Sequence, residues 1–195
     1  MSLDTYPGLA AEIGDWLDRD DLTARVPTFI RLTEARLNRL LEDPDMEVST
    51  TLTGDGADLP ADYGAMISIG TANGYKLTPM SNVEYAKLLP SSGISRYYTI
   101  REGKVYYYPG SANVTLVYRR RIPALTADNQ MNWLLDLAPD AYLYGALMQA
   151  SAFLVEDDRA QNWNALFDRA IEELRIDAAK RKWGAGPIAP RLGRT

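Results

Sequence analysis

The sequence predicts an α+β fold: mainly an α-helical bundle, two helices from each end of the chain, interrupted by a β-rich insertion. Three observations predict it. Apolar residues recur with helical spacing in the first 45 residues and again from about residue 133. Between them the pattern changes to strand-like alternation broken by Gly- and Pro-containing turns. Four amphipathic stripes need one another to be buried, so the terminal helices are expected to pack together. The layout is therefore a single domain over 1–183, helical at 5–45 and 133–183, with an insertion at 46–125. An extended tail follows at 184–195.

In chain order, Leu9, Ile13, Trp16 and Leu17 define one face of a helix over about 7–18. Pro27 suits the first turn of a second helix, where its missing N–H costs nothing. Phe29, Ile30, Thr33, Leu37, Leu40 and Leu41 form its apolar face, and Asp43-Pro44 stops it. Glu34, Arg36, Arg39 and Glu42 fall on what reads as its solvated side. Arg31 and Arg39 share a stripe that can bridge to a second copy.

Val48, Thr50 and Leu52 alternate with polar residues as in a half-buried strand. Asn73-Gly74 is a two-residue turn between Ala65–Ile69 and Tyr75–Thr78. Ser81 and Glu84 have capping-box spacing ahead of a short helix. Glu102-Gly103 joins Tyr97–Arg101 to Lys104–Tyr108 as a hairpin, and Val114–Arg120 is a further strand with Val114, Leu116 and Tyr118 on one face. Pro139 opens a helix with Leu143, Ala146, Leu147, Ala150, Phe153 and Leu154 on one side. The last helix carries Trp163, Leu166, Phe167, Ala170, Ile171, Leu174 and Ala178.

Composition excludes several chemistries. The 195 residues contain no cysteine and no histidine, so disulfides, thiolate metal sites and Ser-His-Asp or Cys-His catalysis cannot arise within the chain. No cofactor or metal is expected. No apolar run approaches the ~20 residues of a membrane span, and no basic-then-apolar leader opens the chain. Five of the 21 basic residues, Lys180, Arg181, Lys182, Arg191 and Arg194, follow the last acid, Asp177. Residues 1–177 thus hold 16 basic against 26 acidic side chains, a net of −10. An acidic body argues against a DNA-binding surface there, and a basic tail suits an acidic partner.

Some residues admit two readings. Tyr106, Tyr107 and Tyr108, with Tyr97 and Tyr98, alternate faces along strands, so some rings must be exposed. They serve either cross-strand pairing on an open sheet or contact with a neighbouring subunit or tail protein. Arg119-Arg120-Arg121 reads as a solvated sheet edge, with pairing to an acidic neighbour as the alternative. Trp133, Tyr142, Trp163 and Phe167 read as core. Asp18, Asp20 and Asp21, and Glu156, Asp157 and Asp158, are acidic clusters at helix ends that lack the alternating ligands and turning glycine of a calcium loop.

Two blocks carry a resemblance. The first runs Asp15-Trp16-Leu17-Asp18-Arg19, Asp21-Leu22-Thr23, then Val26-Pro27-Thr28-Phe29-Ile30-Arg31-Leu32-Thr33-Glu34-Ala35-Arg36-Leu37-Asn38-Arg39. The second is Asn132-Trp133-Leu134-Leu135, Ala138-Pro139-Asp140-Ala141-Tyr142-Leu143-Tyr144-Gly145-Ala146-Leu147, continuing through Asp157-Asp158-Arg159-Ala160-Gln161 to Trp163. Leu59-Pro60-Ala61-Asp62-Tyr63 and Arg96-Tyr97-Tyr98-Thr99-Ile100 lie between them. Together they resemble the head-to-tail adaptor (connector) proteins of short-tailed and related phages and prophages, over nearly the whole chain and in order.

The resemblance implies a structural virion protein without an active site. It implies a ring of copies, usually with the portal's twelve-fold symmetry, sitting in the virion neck after assembly in the host cytoplasm. Double-stranded DNA passes through such a ring without sequence-specific binding. The helical part packs against neighbouring subunits, the C-terminal segment engages the portal protein, and the β-rich part faces the tail or nozzle protein. The expected partner-binding residues are Ile188, Arg191, Leu192 and Arg194 in the tail segment, and Tyr106 and Tyr108 in the insertion. The competing class is a carbohydrate-binding or carbohydrate-processing module. An enzyme of that kind needs two carboxylates across a cleft, for which Asp58 and Asp62 are the nominal candidates.

Overall fold

A computed structural model describes residues 3–110, 113–154 and 157–183. The chain forms two compact units. One is made from the described residues up to Pro44 and from Ile122 to Trp183, the other from those of Asp45–Arg121.

In the helical unit, α1 (Tyr6–Leu17) starts at Thr5, whose hydroxyl accepts the Gly8 N–H at 3.3 Å, with Pro7 in the first turn. It ends at Asp18, which adopts a left-handed φ of 51°. Leu9, Ile13 and Leu17 are buried, but Trp16 is 44% exposed. A 3-10 turn (Asp20–Arg25) leads to α2 (Val26–Leu40), and Pro27 lies in its first turn. A short helix the periodicity does not show, α4 (Trp133–Leu137), precedes α5 (Pro139–Leu154) and α6 (Asp157–Trp183). α5 is the centre of the unit and packs on α1, α2, α4 and α6. It buries residues around most of its circumference: Ala141, Tyr142, Leu143, Gly145, Ala146, Leu147, Met148, Ala150 and Ser151. Phe153 lies off that core, 51% exposed. On α6 the buried stripe is Phe167, Ala170, Ile171, Leu174 and Ala178, with Leu166 turned outward.

Residues 122–132 belong to the helical unit as loop, and several of their backbone polar groups are met by side chains. Asn38 Oδ1 accepts the Ile122 N–H at 2.8 Å, and Glu34 Oε1 accepts the Leu125 N–H at 2.7 Å. Asn132 caps α4 by accepting the Leu135 N–H, and its amide donates to the Pro123 carbonyl and to Tyr142 Oη. Glu34 is therefore not on a solvated face: it is 5% exposed. Burial raises its carboxyl above the ordinary 4.5, and the Leu125 N–H opposes that.

The folded state holds the Glu34 proton more tightly than the unfolded state, so this group's contribution to stability falls as pH rises above the ordinary carboxyl value. Glu34→Gln keeps an acceptor for Leu125. In thermal melts its stability relative to the parent should improve as pH rises above the ordinary carboxyl value and then level off once Glu34 is ionised in the folded protein. A difference independent of pH would contradict this account.

The β unit has two sheets. β1 (Glu47–Leu52), β3 (Tyr63–Thr71) and β7 (Val114–Arg120) form one in the order β1-β7-β3, antiparallel throughout. β2 (Ala57–Asp58), β4 (Thr78–Pro79), β5 (Tyr97–Arg101) and β6 (Lys104–Tyr108) form the other in the order β2-β6-β5-β4. Glu102 and Gly103, with φ of 53° and 74°, make the tight β5–β6 turn. Both conformations are left-handed, which matches the strand twist. The Asn73-Gly74 turn forms as well, but it closes only a short pairing (Gly70 with Lys76). The chain then crosses to the other sheet, where β4 runs parallel to β5. α3 (Asn82–Tyr85) has the expected capping box between Ser81 and Glu84. Leu52, Ile69, Val114, Leu116 and Tyr118 of the first sheet share a core with Val105 and Tyr107 of the second and with Leu77.

β7 corrects one reading of the arginine run. Flanked by β1 and β3, it is the central strand, so Arg119 and Arg120 do not protect a sheet edge. Arg120 instead donates to the Asp45 carbonyl at 3.1 Å.

Candidate functional site

The expected aromatic contact surface lies on β6. Its alternation puts Tyr107 wholly inside, with Tyr106 and Tyr108 half-buried on the opposite face. Tyr106 is the middle of a small stack. The Arg101 guanidinium carbon sits 4.0 Å from its ring centre, and the Tyr85 ring meets it edge-on at 6.1 Å. Beneath lies Gly56, at φ +74°, where a Cβ would come within 3.1 Å of the Tyr106 ring.

Asp55 ties this cluster to the sheet. It accepts the Tyr107 N–H at 2.9 Å, and the Tyr85 hydroxyl lies 3.4 Å from both its oxygens. Burial, and then the Asp55 charge, raise the Tyr85 hydroxyl. Asp55→Ala removes the acceptor of a buried-strand N–H and should cost the β unit about 1–3 kcal/mol. Asp55→Asn should retain most of that. Urea unfolding followed by tyrosine fluorescence reads both variants, and an Ala variant as stable as the parent would contradict the assignment.

Tyr108 lines an open cleft of about 330 Å³ with Asp55, Tyr85, Leu88 and Leu89. The segment leading into β5 exposes Tyr75, Val83, Leu89 and Ile94, each by more than half. Such a surface, aromatic and aliphatic with one stacked guanidinium, is suited to binding another protein.

The nominal acid pair has structural partners. Asp58 bridges Lys104 at 2.9 Å, which raises the lysine's pKa. Asp62 accepts the Tyr118 hydroxyl at 2.9 Å and its carbonyl accepts the Arg121 N–H. Among the acidic clusters, Asp21 pairs with Arg19 at 2.7 Å, and Glu156 lies outside the described residues. Among the described residues no group of three or more acidic side chains gathers as a metal site. No helix there is long and apolar enough to cross a membrane. Arg36 leaves the solvated face: its guanidinium lies 4.8 Å from the Phe167 ring centre and contacts Met148 Sδ, Asn164 and Asp168.

Ile188, Arg191, Leu192 and Arg194 lie outside the described residues. A feature the periodicity conceals is in the helical unit. Trp16, Tyr144 and Trp163 are not sealed in the core but form a half-open platform across α1, α5 and α6. Tyr144 stacks on Trp163 at 6.2 Å and 13°, and Trp16 leans on both, at 6.4 Å and 5.5 Å. Glu12 holds the Trp16 indole N–H at 3.0 Å. The spacing of Glu12 and Trp16, one helical turn apart, is the only sequence signal for it.

A family model described as SU10 adaptor protein matches residues 4–191, across the helical unit, the β unit and most of the C-terminal segment. No curated protein matches the chain.

Proposed function

The chain belongs to the SU10 adaptor protein family, a phage structural adaptor family, and from that premise we propose that it forms the head-to-tail ring between portal and tail. The family match, continuous through both units, is the observation that carries this reading. The protein then resides in the virion neck, assembled in the host cytoplasm, and acts by binding rather than by catalysis.

The roles divide by chemistry. The C-terminal segment supplies Ile188 and Leu192 as apolar anchors and Arg191 and Arg194 as cations for an acidic surface, the portal. The exposed side chains around Tyr106 and Tyr108 supply the platform for the tail or nozzle protein. Copies associate through the helical units into a ring with the portal's symmetry. A net charge of −5 suits a channel wall for double-stranded DNA, because phosphates are repelled rather than held and the duplex slides.

Co-purification with the portal protein of the same genome tests the reading, with an unrelated portal as control. Retention by the cognate portal alone is expected. Equal retention by both, or by neither, would contradict it.

A further inference from the structure

We propose that the aromatic platform of Trp16, Tyr144 and Trp163 binds the Pro187-Ile188-Ala189-Pro190-Arg191 segment of a second copy of the chain. The C-terminal segment then has two alternative seats, this platform when no portal is present and the portal when one is.

The platform has the chemistry of a polyproline reader. Such sites are aromatic-lined and shallow, and take a segment already extended as a three-residue-per-turn helix. Pro187 and Pro190 are three apart, so in that helix they share one edge and both can lie against the rings. Little ordering entropy is lost, because proline has already restricted the backbone. Trp163 Nε1 has no hydrogen-bond partner among the described residues. It can donate to a peptide carbonyl, the usual polar contact of such readers.

Charge favours the same occupant. Glu12 lies one turn before Trp16 and Asp140 one turn before Tyr144. Against these stand Arg19, already paired with Asp21, and Arg159. An arginine directly after the second proline meets a net acidic rim.

Chain length decides between a chain's own segment and a neighbour's. Trp163 and Trp183 are separated by twenty residues of α6, about 30 Å at 1.5 Å per residue. Pro187 is four residues beyond Trp183 and reaches at most about 14 Å when fully extended. Pro187 cannot reach its own platform, so the two prolines can share one platform only on another copy, and the contact is head-to-tail between copies, the type that generates rings or open chains.

The proposal rests on the adaptor reading only in giving the segment a second, competing partner, and its test needs no portal. Full-length protein is sedimented over a concentration series, alongside Pro187→Ala/Pro190→Ala and Trp16→Ala, with circular dichroism as the folding check. A synthetic peptide of residues 184–195 is added to the parent protein. Association that grows with concentration is expected. The proline variant should need a roughly tenfold or more higher concentration to associate, and excess peptide should return the parent to monomer. Trp16→Ala should also weaken association; if it unfolds, the proline variant and the peptide decide. A parent that stays monomeric, a proline variant that associates equally, or indifference to the peptide would overturn the proposal. Failure here with portal binding intact removes only this contact. Self-association with no portal binding removes only the adaptor reading.

Discussion

Deleting residues 184–195 is expected to abolish attachment to portal rings while leaving the thermal midpoint nearly unchanged. The physical reason is the composition of the segment. Gly184, Gly186, Pro187, Pro190 and Gly193 oppose continuation of α6, and only Ile188 and Leu192 are large and apolar. That composition offers few apolar anchors for a core and two cations for an acidic partner, Arg191 and Arg194. In the proposed ring each contact would be weak but many copies would act at once, so the expected loss of attachment is complete rather than graded. Circular dichroism melts and portal pull-down on the truncated protein read the two halves separately. Normal portal binding after truncation would show that the anchor lies elsewhere. Unfolding would show that the segment belongs to the chain's own core.

Gly145→Ala is expected to destabilise the helical unit by about 1–3 kcal/mol, although alanine is the better helix former by about 1 kcal/mol. Gly145 sits where α5 meets α2 and α6. A Cβ there would overlap Thr33 Cγ2 and press on the Phe167 ring at 3.0 Å. Thr33 cannot turn away cheaply. Its side chain is fully buried, and its hydroxyl donates to the Phe29 carbonyl at 2.9 Å, which fixes the rotamer that aims the methyl at α5. The helices must separate instead, or Phe167 must leave its rotamer. The companion variant Thr33→Ser removes the methyl and keeps the hydroxyl bond. The double variant Thr33→Ser/Gly145→Ala should therefore recover most of the loss, a coupling that a double-mutant cycle in urea measures directly. Additive losses would mean the crossing is not set by this contact.

Local rules made much of the fold legible. The Pro7 and Pro27 helix starts, the Ser81–Glu84 capping box and the Glu102-Gly103 turn each depend on residues within a few positions of one another, so sequence alone carries them. What was not legible is non-local. The pairing of β7 with β1 and β3 joins residues from 43 (Thr71 with Val114) to 72 (Glu47 with Arg119) positions apart, and nothing in Arg119-Arg120-Arg121 says that neighbours flank it on both sides.

Glu34 is an instructive case. Its position, four residues after Ile30 and three before Leu37, is on the buried side of α2. Residue type argued for solvent, and the N–H that satisfies it belongs to Leu125, 91 residues away. Trp16 is the converse. Periodicity places its Cα on the apolar face of α1 but not how far the ring extends. Near the end of the helix it rests on Tyr144 and Trp163 rather than beneath an aliphatic layer. For the candidate contact surfaces, the half-buried positions of Tyr106 and Tyr108 followed from strand alternation. The stacking of Arg101 on Tyr106, and the Asp55 tie between Tyr85 and β6, required the fold.

Electron microscopy of the protein co-assembled with the portal of the same genome tests the central claim most directly. The account predicts a ring of copies coaxial with the portal and of the same symmetry, with an open channel wide enough for double-stranded DNA. In that ring the C-terminal segments run onto the portal and the tyrosine-bearing sheets point away from it. Portals that remain bare at saturating protein, or copies bound singly with no closed ring, would contradict it.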